Sequence, residues 1–120
     1  MTLPDSYYKI NISRLYAGGR LFKMLEVQKE NIAKYEEMAE LLKALAHPTR
    51  LCIVDGLIQN ERNVTTIREC LELPQSTVSQ HLGILKARGI IQGRRKGTEI
   101  SYTVTSDLVK RLVRMLLEEM

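Results

Sequence analysis

Five short polar side chains crowd one stretch of the chain: Gln75, Ser76, Thr77, Ser79 and Gln80. Arg94, Arg95 and Lys96 follow a little further on. Carboxamides and hydroxyls on one helix can hydrogen-bond base edges: glutamine pairs bidentately with adenine, serine and threonine serve bases or phosphates, and the threonine methyl can meet a thymine methyl. The cationic triplet would neutralise phosphates or reach into a minor groove. No acidic residue lies between Leu73 and Thr98, where Lys86, Arg88, Arg94, Arg95 and Lys96 sit. The remainder holds 13 basic against 14 acidic residues, so the net charge of +4 is concentrated in this one segment. Solvation alone would also select short polar residues on an exposed helix face. The acid-free context and the basic triplet favour a polyanion over water.

The other reactive side chains are few. His47 and His81 fall at a helix boundary and on a helix, and no nucleophile, base and orienting group come together in a motif, which argues against an enzyme. His81 reads equally as a phosphate ligand or as a partly buried helix residue, and Lys86 and Arg88 as charges that offset a helix dipole. Cys52 and Cys70 are too few for a disulfide framework. A thiol switch would need them close together with a thiolate stabilised by positive charge, for which Arg50 and Arg68 are near in sequence. The place of Cys70 between Ile67 and Leu71 instead favours two packing cysteines.

These residues need elements to hold them. Residues 1–19 have no clear period, contain Tyr7, Tyr8 and Tyr16, and end in Gly18 and Gly19; they read as an arm preceding a domain over 20–120. From Arg20 to Ala46 a stripe of Leu21, Leu25, Gln28, Ile32, Tyr35, Ala39, Leu42 and Ala46 at spacings of three and four predicts a helix, or two with a break near Asn31. His47 and Pro48 end it, because the residue before proline avoids the helical region. Pro48 opens the next helix, whose buried side is expected at Leu51, Val54, Leu57 and Ile58. Asn63 suits an N-cap for a helix over 64–71 with Val64, Ile67 and Leu71 inward. Pro74 starts a fourth, packed through Val78, Leu82 and Leu85 and stopped by Gly89. The third and fourth helices, about three residues apart, form a helix-turn-helix candidate.

Beyond Gly89 the period becomes two. Ile100, Tyr102 and Val104 alternate with polar residues, and the run 90–95 can pair with them across Lys96, Gly97 and Thr98, giving a hairpin with a basic tip. Ser106 can cap a last helix carrying Leu108, Val109, Leu112, Val113, Met115, Leu116 and Leu117, a wider apolar surface than one packing face requires. The 120 residues suffice for one modest core. A hydrophobic share of 44% with only 7 Gly and 3 Pro excludes collagen-like and wholly disordered chains. No window approaches a membrane span and the N-terminus lacks signal-peptide character, so a cytoplasmic protein with no membrane partner is expected.

The segments QSTVSQHLGILKARGII (75–91), the GRRKGTEISYTV hairpin and the preceding LLKALAHPTRLCIVDGL occur in an order that resembles the ArsR/SmtB family of bacterial winged-helix repressors. The resemblance spans roughly Glu36 to Leu117. It implies a mainly α, winged helix-turn-helix fold, α-α-α-α-β-β-α, to which the preceding residues add the extended N-terminal helix and arm read above. It also implies a homodimer on double-stranded operator DNA, released by an effector. The contacts would come from Gln75, Ser76, Thr77, Ser79, Gln80, His81, Arg94, Arg95 and Lys96. The first and last helices would pair the subunits through Leu25, Ile32, Leu108, Leu112, Val113, Met115 and Leu116. The metal-sensing ligand sets of such repressors are incomplete: the third helix has no cysteine pair two apart, and Asp107 is followed by no histidine, so it reads as an acid in a first helical turn. No cofactor is expected, and the effector would be a small molecule or a thiol reagent acting on Cys52 and Cys70. The rival of another class is a winged helix that binds only proteins.

Overall fold

The computed structural model describes residues 31–120. The expected arm, the N-terminal part of the first helical stripe and Leu25 lie outside these residues. The chain divides into two units, Met1–Met38 and Ala39–Met120, and the core and the candidate site both belong to the second. The elements are α1 (Ile32–Leu45), α2 (Pro48–Gln59), β1 (Arg62–Asn63), α3 (Val64–Leu71), α4 (Gln75–Ala87), β2 (Ile91–Lys96), β3 (Glu99–Val104) and α5 (Asp107–Glu118). This is a winged helix-turn-helix with five described helices and a three-stranded antiparallel sheet of order β1-β3-β2. Among the described residues no helix is long and apolar enough to cross a membrane.

Local chemistry sets most boundaries. His47 is extended and caps α2: its Nδ1 accepts the Thr49 N–H at 3.1 Å, and Pro48 follows where no intrahelical donor is needed. Asn63 caps α3 by accepting the Thr66 N–H at 2.8 Å, and Ser106 caps α5 by accepting that of Val109 at 3.2 Å. The helix-turn-helix bend is Glu72–Leu73–Pro74, with Glu72 in the left-handed region at φ 54°. Helix α4 stops at Gly89, φ 69°, where Ile90 N–H reaches Leu85 O at 3.1 Å and Gly89 N–H reaches Lys86 O at 3.0 Å. That pair of bonds satisfies carbonyls the helix would leave open and turns the chain into β2.

The core gathers Ile53, Val54 and Leu57 of α2, Ile67 of α3, Val78, Leu82 and Leu85 of α4, Ile90 and Ile91, Tyr102 and Val104 of β3, and Val109 and Val113 of α5. The buried side of α2 therefore differs from expectation. Ile53 replaces Leu51, which is exposed, and Ile58 is only partly buried. A face centred on Ile53, Val54 and Leu57 leaves Leu51 about 110° round the helix at 3.6 residues per turn.

The sheet departs from expectation twice. The two-residue β1, which pairs Arg62 with Tyr102 and Asn63 with Ser101, adds a third strand that is too short to show a period. Lys96 belongs to β2 opposite Glu99, so the turn is only Gly97–Thr98, with Gly97 at φ 65° as a type II′ hairpin requires. Gly93 faces Tyr102 across the ladder, and a Cβ there would stand 3.0 Å from both the Tyr102 ring and Ile100 Cγ2. The glycine is what lets the buried tyrosine ring lie over the hairpin. Ile100, which shares the alternation of the buried Tyr102 and Val104, is exposed, toward the tip of the hairpin.

Candidate nucleic-acid interface

Helix α4 presents two chemically opposite faces. Val78, Leu82 and Leu85 are buried, and at 100° per residue the opposite side carries Ser76, Ser79, Gln80 and Gly83. Gln75, Ser76, Ser79 and Gln80 are exposed, while Thr77 is half-buried toward the core. A row of hydroxyls and carboxamides therefore stands outward on the N-terminal half of the helix. In a helix-turn-helix that half is the part which enters a major groove.

The hairpin supplies the positive charge. Arg94, Arg95 and Lys96 are exposed on β2. Lys96 Nζ lies 2.9 Å from Glu61 Oε2, and Asn63 Nδ2 donates to Glu99 Oε2 at 2.7 Å. Asn63 thus caps α3 and fastens the wing with one side chain. Exposed ion pairs such as Lys96–Glu61 contribute about 0–1 kcal/mol, so a phosphate can compete for Lys96.

Other predicted residues are engaged within the chain. His81 sits on the flank of α4 rather than in its outward row. Its Nδ1 is 3.4 Å from Arg50 Nη1, and its ring centroid is 4.6 Å from that of His47. Partial burial, then the neighbouring His47 and Arg50, hold the His81 imidazole below the usual histidine range. Of the two readings open at the sequence level, the partly buried helix residue describes its surroundings. Arg88 does more than offset a dipole: its Nη2 pairs with Glu40 Oε2 of α1 at 3.0 Å. The hydrogen bond from Lys43, with the charges of Lys43 and Arg88, keeps Glu40 below the ordinary carboxylate range.

The packing role expected for the cysteines is overturned, since both are free and exposed. Cys52 lies nearly opposite the α2 core face, and Cys70 stands beside β1 with Arg62 Nη1 at 3.9 Å from its sulfur. Among the described residues no cluster of three or more His, Cys, Asp or Glu is arranged to hold a metal ion. Asp107 occupies the first turn of α5 and is exposed.

Helix α5 divides its apolar residues between two faces. Val109 and Val113 are buried in the core of the same chain, so Val113, 3% exposed, has almost no surface left for a partner. Leu108, Met115, Leu116 and Leu117 are exposed and Leu112 is half-buried beside them. Ile32, at the start of α1, is half-buried. Arg50, placed by sequence reasoning only as a cation near the cysteines, has a role that reasoning missed. Its guanidinium donates to Lys43 O, to Ala44 O and toward His81. A charged side chain inside the apolar opening of α2 was its only signal.

Residues 47–92 match the family model described as bacterial regulatory protein, arsR family. The chain is 47% identical over 83 residues to the transcriptional repressor PagR of Bacillus anthracis, covering 68% of this chain and 82% of that one. It is 37% identical over 101 residues to the transcriptional activator HlyU of Vibrio cholerae, covering 84% and 90%. The solution structure of a homodimeric winged helix-turn-helix DNA-binding domain from Mycobacterium bovis superposes with a TM-score of 0.68 at 34% identity, covering 75% of this chain and 82% of that one.

Proposed function

The chain belongs to the ArsR family of bacterial regulatory proteins, and from that premise we propose that two copies repress transcription by gripping operator DNA until an effector releases them. Family membership makes it a DNA-binding transcriptional regulator and not an enzyme. The observation that carries the finer reading is the outward row Ser76, Ser79 and Gln80, with Gln75 exposed at the helix start, on a helix whose other side is locked into the core. In this reading α4 reads bases, while Arg94, Arg95 and Lys96 contribute affinity with little sequence choice. The exposed apolar residues of α5 support a dimer, whose two α4 helices would then meet half-sites about 34–36 Å apart. A protein-only winged helix would leave the concentration of positive charge between Leu73 and Thr98 without an electrostatic purpose.

The test separates the two roles on a duplex selected from a randomised library. Ser76→Ala with Gln80→Ala is expected to reduce discrimination by about 1–3 kcal/mol for each base that is no longer read. The salt dependence should stay the same. Arg94→Ala with Arg95→Ala is expected to preserve sequence choice and to flatten the salt slope by about 0.9 for each phosphate left without its cation. Full specificity in the first variant would remove α4 from the reading role. Absence of duplex binding even at low salt would leave the protein-only alternative. Similarity to PagR supports repression; similarity to HlyU, an activator, makes a promoter-reporter assay the measurement that decides direction.

For the effector, exposure of both thiols and the Arg62 guanidinium beside Cys70 favour a thiol-reactive compound. A persulfide donor or oxidant should then dissociate the wild-type complex and spare Cys52→Ser/Cys70→Ser. Equal release of both proteins would assign sensing to another chemistry.

A further inference from the structure

We propose that Arg50 is a positioning residue for DNA reading, holding neutral His81 and so fixing the orientation of α4 against the end of α1. The inference rests on the operator-binding reading above. Arg50 lies 31 residues from His81 in sequence, yet its Nη1 is 3.4 Å from His81 Nδ1. The same guanidinium donates through Nε to Ala44 O and through Nη2 to Lys43 O at 3.2 Å. Those carbonyls belong to the last turn of α1, where intrahelical donors run out. One planar fork therefore joins the end of α1, the first turn of α2 and the flank of α4. Lysine, with a single ammonium, lacks that geometry.

The contact constrains the proton on His81. Arginine only donates, so His81 Nδ1 must accept and the ring must be neutral with its proton on Nε2. His47 is similarly committed, because its Nδ1 accepts the Thr49 N–H that caps α2. The charged or titratable groups facing His81 are Arg50 of α2 and His47 at the α2 N-cap. The permanently charged Arg50 guanidinium opposes a second positive charge on the ring. Glu40 of α1 is engaged by Lys43 and Arg88. A protonated His81 would turn an N–H toward the guanidinium and break the contact.

The sign of the pH effect follows. A histidine held below its ordinary value binds fewer protons folded than unfolded, so its contribution is full above about pH 6.5 and is lost as pH falls through the lowered folded value. Operator binding should weaken in that same acid window. A histidine that touched a phosphate would do the reverse, because protonation adds an attractive charge.

The test measures binding of the full chain to the library-selected duplex at about pH 7.5 and about pH 5.5, on either side of the ordinary histidine value. Wild type should lose at least about threefold more affinity on acidification than His81→Gln, whose amide oxygen can accept from Arg50 without titrating. Arg50→Lys should bind more weakly at the higher pH and show a flatter pH profile. NMR titration of the wild-type imidazoles provides a second measure if a variant unfolds, with His81 expected to titrate below about 6.5. Parallel profiles for wild type and His81→Gln, tighter wild-type binding in acid, or a His81 midpoint at or above the ordinary value would each overturn the inference. Loss of selective duplex binding at every pH would instead bring down the operator reading, and this inference with it.

Discussion

Leu108→Glu combined with Leu116→Glu is expected to give a folded monomer that loses about 10²–10⁴-fold in affinity for a two-half-site operator. The fold should survive because these side chains are 54% and 48% exposed in one chain and take no part in its core. The dimer should not, because two carboxylates in each subunit would be drawn into an apolar contact without partners. The loss follows from effective concentration: with the subunits joined, the second α4 finds its half-site as an intramolecular event, and a monomer must bind each half-site alone. Sedimentation or light scattering reports the mass, and titration against one and two half-sites reports the affinity. A double variant that stays dimeric would move the interface away from α5. One that is monomeric yet binds the full operator normally would disconnect dimerisation from DNA reading.

Leu85→Ala is expected to cost about 2–5 kcal/mol of folding stability, a large part of the roughly 5–15 kcal/mol that domains possess. Leu85 is 0% exposed and lies in the last turn of α4, where its carbonyl accepts the Ile90 N–H. Its side chain therefore packs at the point where α4 passes into the wing. Truncation leaves a cavity between α4 and the sheet, and neighbours held in a close-packed core fill it only partly. Urea unfolding should show a lowered midpoint with an unchanged slope. Ser79→Ala, on the outward side of the same helix, provides the contrast and should unfold within about 0.5 kcal/mol of wild type. Equal stability of Leu85→Ala and wild type would mean that this side chain does not hold the reading helix.

Much of the candidate site was legible in the sequence because its signals are local. The polar row on α4 shares one helix period with the buried Val78, Leu82 and Leu85, so placing one face placed the other. The acid-free segment already contained α4 and β2, the basic strand of the wing. Asn63, Ser106 and Gly89 mark helix ends because each satisfies backbone groups a few residues away, and the structure keeps all three roles. The helices and hairpin were legible in order, and the winged helix-turn-helix fold class came with the family resemblance that their motifs carry.

Other features depend on residues far apart in sequence. A helical period leaves the centre of a buried face free to rotate by one position, and packing chose Ile53 over Leu51. It also turned Cys52 and Cys70 outward, where sequence alone had favoured packed thiols. The two residues of β1 have no period of their own and became a strand only because β3 offered its edge. His81 could face a phosphate or the protein until α2 brought Arg50 alongside it. Sequence by itself determined the helices and the β2–β3 hairpin, their caps and the concentration of positive charge, since these arise from backbone bonding and side-chain type over a few residues. Tertiary structure decided which faces are covered and which charges meet, because packing fixes how segments touch where local chemistry leaves them independent.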